Sequence, residues 1–135
     1  MPLRWALPLI VFGFLGCQAG PLRVSLPESP VPYDRAWQVA LETTLLYYDR
    51  IAFQDKEAGF FQTAWNESKD GLFLGAPVKR TRLIGQVSNR APFRLHLSLE
   101  EEAFSLELGR WVFISPSKDF LARISQDMRS KLQRF

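Results

Sequence analysis

Few side chains in this chain can do chemistry, and their spacing limits what kind. There is one cysteine, Cys17, and one histidine, His96, among 135 residues. A single thiol closes no internal disulfide, and a single imidazole needs further ligands gathered around it to hold zinc. His96 falls on the polar side of an alternating stretch, Phe93-Arg94-Leu95-His96-Leu97-Ser98-Leu99. A general base there needs a positioned partner that the local sequence does not supply, so His96 reads as a surface residue. Glu100, Glu101 and Glu102 are consecutive; on a strand they would alternate faces, and they read best as a solvated turn. Neither a G-x-S-x-G elbow nor a phosphate-binding glycine loop occurs. The cations Lys79, Arg80, Arg82, Arg90 and Arg94 lie close together. On adjacent antiparallel strands they form either a stripe facing acidic lipid, polysaccharide or protein, or only the solvated outer face of a one-sided sheet. The expectation is a non-enzymatic protein with no cofactor and no metal site.

Cys17 takes its meaning from what precedes it. One cation, Arg4, is followed by the apolar run Trp5-Ala6-Leu7-Pro8-Leu9-Ile10-Val11-Phe12-Gly13-Phe14-Leu15. A spanning helix needs about 20 apolar residues, so this run is too short, and Pro8 and Gly13 weaken it further. It has the layout of a secretory leader, and no acid appears before Glu28. Leu15-Gly16-Cys17 resembles the lipobox of bacterial lipoproteins. That resemblance implies diacylglycerol on the Cys17 sulfur, cleavage before Cys17, and a third acyl chain such as palmitate on the new amino terminus. One acyl chain binds a bilayer only reversibly, whereas several hold it firmly. Gln18 follows in place of the acid that retains such proteins in the inner membrane, which implies the outer membrane, facing the periplasm. Without the resemblance, Cys17 is an ordinary buried thiol, or the chain is a soluble secreted protein.

Composition sets further bounds. Removing residues 1–16 from 135 leaves 119, enough for one domain with a core. Loss of Arg4 from 17 basic residues leaves 16 against 14 acids, too small a bias to argue for nucleic acid. Aromatics at 13% and apolar residues at 47% make a core without disulfides feasible.

The elements follow from periodicity. Residues 17–32, the modified cysteine and then Gly20, Pro21, Pro27, Pro30 and Pro32, read as a proline-stiffened tether, with a single domain over 33–135. Asp34 is placed to cap a helix over 34–48 whose apolar face is Trp37, Ala40, Leu41, Thr44, Leu45 and Tyr48. A hairpin follows: 50–55, a turn at Lys56-Glu57-Ala58-Gly59, then 60–65. Residues 66–77 read as a loop around the apolar island Leu72-Phe73-Leu74. That island either folds back onto the core edge or meets a partner at an exposed tip. Strands are expected over 78–88 and from Phe93, with a turn at 89–92. Phe104, Leu106 and Leu108 are expected to point inward, and Gly109-Arg110 to interrupt before Trp111-Val112-Phe113-Ile114. Ser115 or Ser117 caps a last helix, with Pro116 in its first turn and the stripe Phe120, Leu121, Ile124, Met128 and Leu132. Together these make an α+β fold: an antiparallel sheet with an N-terminal and a C-terminal helix packed on one face.

Tyr33-Asp34-Arg35-Ala36-Trp37, then Ile51-Ala52-Phe53, Asp55 and Lys56-Glu57-Ala58-Gly59-Phe60-Phe61-Gln62-Thr63-Ala64-Trp65, resemble the opening of the BamC-type lipoprotein domain. There a tryptophan-bearing helix is followed by a strand, a turn and a strand ending near T-x-W. Lys79-Arg80-Thr81-Arg82 sits where that pattern has a basic strand. The resemblance implies a helix-grip fold and an accessory, non-enzymatic role in outer-membrane protein assembly, with an envelope protein as partner. The candidate binding surface is Leu72, Phe73, Leu74, Lys79, Arg80 and Arg82, beside the membrane contact through lipid on Cys17. The alternative is a periplasmic module that takes a small ligand or lipid in a groove between helix and sheet, suggested by the surplus of aromatics, notably Phe60, Phe61, Trp65, Phe73 and Trp111.

Overall fold

A computed structural model of the chain describes residues 20–68 and 78–134. Cys17, the leader and the island Leu72-Phe73-Leu74 lie outside the described residues. The described elements run β1 (Leu22–Ser25), α1 (Tyr33–Thr44), β2 (Ile51–Asp55), β3 (Phe60–Thr63), β4 (Asn66–Ser68), β5 (Lys79–Arg90), β6 (Phe93–Ser105), β7 (Arg110–Ile114) and α2 (Lys118–Gln133). The fold is α+β, with seven antiparallel strands in one sheet and two helices.

β5 and β6 form the spine of the sheet. They pair from Lys79 opposite Ala103 to Arg90 opposite Phe93, around a turn with a cis Ala91–Pro92 peptide. β3 and then β2 extend the sheet beyond β5, and β4 pairs the first residues of β5. On the free side of β6, β1 pairs its first half and β7 its second. Directly opposed residues share a face, so the register sorts the side chains. Leu83, Leu95, Leu97 and Leu99 point one way and join one core with Trp37, Ala40, Leu121, Ile124 and Met128. Arg80, Arg82, His96, Glu100 and Glu102 point the other way.

Residues 22–31 are not a tether. Leu22 lies opposite Leu99 and Val24 opposite Leu97, Leu26 donates its N–H to Leu95 O at 2.9 Å, and Leu26 and Val31 are buried. Leu22, Val24 and Leu26 alternate as a strand must; Pro21 and Pro27 stand outside the paired residues, where a missing N–H costs nothing. The domain therefore begins at β1. The acid triplet is not a turn either. β6 runs straight through it, and Glu102 is buried. The turn comes at Leu106 to Gly109, ending at the interruption expected at Gly109-Arg110, where Gly109 has φ of 63°. Leu106 and Leu108 consequently point into solvent at 90% and 60% exposure rather than inward.

The helices form from their stripes. Ser117 caps α2, its hydroxyl accepting from the Phe120 N–H at 3.3 Å, and Leu121, Ile124, Met128 and Leu132 are its buried residues. Pro116 precedes the cap instead of entering the first turn. α1 starts behind Pro32, with no side-chain cap. Asp34 sits in its first turn and pairs with Lys56 at 2.7 Å, and that ammonium holds its carboxyl below the ordinary value. α1 ends at Thr44, so Leu45 turns outward while Tyr48 stays buried beyond the helix end. The β2–β3 hairpin turns at Gly59, φ 68°, as expected.

Candidate functional site: the open face of the sheet

On the face away from the leucine core, the long middle of β5 and β6 carries a ladder of ion pairs. Arg80 is opposite Glu102 and Arg82 opposite Glu100. The Arg80 guanidinium donates to Glu102 Oε2 from two nitrogens, at 2.7 and 3.1 Å, and Arg82 Nε donates to Glu100 Oε2 at 2.6 Å. Both pairs are largely withdrawn from water, with side-chain exposures of 21% and 10%, and of 24% and 15%.

Aromatic rings enclose this ladder. Trp65 follows β3 and places its ring 4.5 Å from the Arg80 guanidinium carbon and 4.4 Å from that of Arg82. Trp111 on β7 covers Arg80 from the other side at 4.1 Å and meets Phe104 edge-on at 5.6 Å. Each arginine thus meets a carboxylate at one edge and an indole on at least one face, the arrangement that suits a planar, weakly hydrated cation. Further aromatic area surrounds the stack. Phe113 is opposite Glu102 and 54% exposed, and Phe53, 55% exposed, contacts Phe60 at 5.7 Å.

The other half of this face is polar. A cleft of about 410 Å³ is lined by residues that include Arg23, Ser25, Gln86, His96, Ser98 and Glu100. His96 is half-buried there, and Ser25 Oγ lies 2.5 Å from its Nδ1. Arg23 adds a positive charge at the rim. A histidine relay needs a third group to orient the second ring nitrogen; among the described residues no hydrogen bond does so. The pair can bind and orient a polar group. No cluster of His, Cys, Asp or Glu among the described residues is arranged to hold a metal ion.

The expected basic surface is thereby divided. Arg80 and Arg82 come together, but as neutralised, half-covered cations. Lys79, one residue out of phase, goes to the opposite face and is exposed. Arg90 lies at the far end of β5, over the Tyr33 ring at 4.6 Å and hydrogen-bonded to the Glu57 carbonyl, and Arg94 is exposed. The aromatics that suggest a ligand-binding groove are divided too. Phe61 is fully buried beneath Gly85 and edge-on to Trp37 at 6.0 Å, while Phe60, Trp65 and Trp111 belong to the open face. The acids Glu100 and Glu102 went unrecognised as partners of the arginines. Their one legible signal is the i, i+2 spacing they share with Arg80 and Arg82.

The chain matches no family model and no curated protein sequence. No helix among the described residues is long and apolar enough to cross a membrane.

Proposed function

We propose that this chain is a non-enzymatic accessory lipoprotein, anchored in the outer membrane through lipid on Cys17 and facing the periplasm, that binds an envelope protein through the open face of its sheet. The observation carrying this reading is the composition of that face. Phe53, Phe113, Trp65 and Trp111 offer aromatic contact area, while Arg80 and Arg82 already have carboxylate partners. Buried aromatics and arginines are the residue types that dominate protein interfaces, and a face with its cations neutralised offers little to a polyanion. Leu15-Gly16-Cys17 supports the anchor. Contact of Trp37 on α1 with Phe61, and the shared core of Leu121, Ile124 and Met128 on α2 with Leu83, Leu95, Leu97 and Leu99, support the finer arrangement, in which both helices are held against one sheet face, as in a helix-grip fold. The leucine core is then the helix-bearing side and the open face is left for a partner.

Two measurements test the reading. Metabolic labelling with a fatty-acid analogue is expected to mark the native chain and not Cys17→Ala; equal labelling of both removes the anchor. A photo-crosslinking residue in place of Phe113 is expected to capture a defined envelope protein that the same residue at the exposed Arg123 of α2 does not. Identical crosslinking at the two positions counts against the open face as the docking surface.

A further inference from the structure

We infer that the tip of the β6–β7 hairpin, Leu106 to Gly109, enters the surface of the bilayer in which the chain is anchored; this rests on lipid attachment at Cys17. The direction of the strands carries the argument. β1 is antiparallel to β6, Leu22 opposite Leu99 and Ser25 opposite His96. The chain preceding Leu22 therefore heads toward the end of the sheet where β6 turns into β7. Pro21 already lies beside Glu100 and Ser98, in the wall of the cleft they share.

Lengths make this consequential. Cys17 lies five positions before Leu22, a reach of at most about 17 Å when fully extended. Ser105 lies six strand positions beyond Leu99, about 20 Å further along the same direction, and the tip lies beyond Ser105. With the strands along the membrane normal, the tip reaches the level of the anchored cysteine even when the linker is stretched. A proline-rich tether over 17–32 would have allowed tens of ångströms of clearance, but Leu22 to Ser25 of that stretch are a strand of the sheet.

The tip is suited to such a site. Leu106 and Leu108 are the most exposed large apolar residues of the hairpin, at 90% and 60%. Two of the turn's N–H groups are paired within the hairpin: Gly109 donates to Ser105 O at 2.8 Å and Leu108 to Ser105 Oγ at 3.2 Å. Polar backbone entering a low-dielectric layer has to be paired in this way. Glu107 is the opposing charge at the tip. Arg110 on β7 and Lys79 on β5 are exposed cations at the same end, placed for lipid phosphates while Glu107 remains among the headgroups.

The anchor itself makes the experiment clean, because an acylated Cys17 leaves an introduced cysteine as the only free thiol. Full chains carrying Leu106→Cys, Leu108→Cys or Asn89→Cys are spin-labelled and reconstituted in vesicles of phosphatidylethanolamine and phosphatidylglycerol. Collision with oxygen is expected to exceed collision with a water-soluble nickel complex severalfold at positions 106 and 108, and the reverse is expected at 89, at the opposite end of β5. Acyl mass on Cys17 together with labels at 106 and 108 as water-accessible as at 89 overturns the tip contact and leaves the anchor standing. Absence of acyl mass on Cys17, with a second label on that residue, overturns the anchor and this inference together.

Discussion

Replacing Arg80 with methionine separates a structural cation from a docking one. The side chain lies between two indoles at 4.1 and 4.5 Å and holds Glu102, whose own side chain is 10% exposed. Methionine fills much of the space between the rings but carries no charge and no donor. Two effects then add. Each ring contact is worth about 0.5–1 kcal/mol when partly covered. A carboxylate left without its partner costs about 3–5 kcal/mol when fully buried, so the remaining exposure of the pair puts it at the lower end or below. A loss of about 3 kcal/mol is expected for Arg80→Met, which for a chain of this size lowers Tm by about 12 °C. Glu102→Gln keeps a neutral acceptor for the guanidinium and leaves Arg80 stacked, so about 1–2 kcal/mol is expected. The double variant has no stranded carboxylate and should be more stable than the sum of the single losses predicts, by about 1–2 kcal/mol. Thermal unfolding of the four proteins supplies the cycle. A Tm for Arg80→Met within about 2 °C of the parent, the range of an ordinary surface change, would show that Arg80 is held by nothing and refute the enclosed ladder.

Three further outcomes follow from the core and its edges. Gly85→Ala puts a Cβ 2.1 Å from Cε1 of the buried Phe61 ring and should cost at least about 1–3 kcal/mol; adding Phe61→Leu should recover part of that loss, and strict additivity in urea unfolding defeats the explanation. Leu26→Ala, in the stretch that reads as a tether, should cost about 2–5 kcal/mol because Leu26 is 3% exposed, whereas a tether residue would show no change. Burial raises the Tyr48 hydroxyl to about 12, so the folded state holds that proton more tightly than the unfolded chain, whose value lies near 10. The stability this provides is complete below about pH 10 and is lost as pH rises from about 10 to 12, by about 3 kcal/mol in all. Tyr48→Phe should flatten that part of the urea-unfolding profile, and an unchanged slope between pH 9 and 11.5 would exclude Tyr48 as its source.

The parts of this fold that were legible in the sequence are those whose stabilising contacts recur at a regular period. α2 shows its stripe from Leu121 to Leu132 and its Ser117 cap because both depend on neighbours three and four positions away. The first half of β6 shows because Phe93, Leu95, Leu97 and Leu99 all face one core. β1 was hidden for the opposite reason. Its four residues are placed by partners far along the chain, above all β6 some seventy positions away, and the prolines on either side mimic a linker. The length of β6 is hidden because the acid triplet resembles an exposed connection, and Leu106 and Leu108 continue the alternation past the point where there is anything left to bury; Gly109, the residue able to take positive φ, marks the break where the sequence puts it. Asp34 looked like a cap because its type fits one, but Pro32 already closes the helix start and Lys56 is within reach of the carboxylate.

The candidate site was legible as residue types and not as an arrangement. Arg80 and Arg82 share a face by spacing alone, and so do Glu100 and Glu102, but only the register of β5 against β6 sets each arginine opposite an acid. That register reverses the chemical meaning of both groups. Four residues that look like two solvated, oppositely charged patches become a nearly neutral strip roofed by Trp65 and Trp111. A strip of that kind has little long-range field to draw in a charged polymer, yet it keeps its shape because each guanidinium is fixed by its carboxylate. What remains available to a partner is the outer surface of the rings together with the exposed Phe53 and Phe113. Recognition on this face therefore depends on contact area and fit. Raising the salt concentration should weaken it only slightly, because the Debye length shrinks without uncovering the paired charges. Binding of the photo-crosslinked partner that collapsed between about 0.1 and 1 M salt would instead place the recognition on the exposed cations Lys79, Arg94 and Arg110.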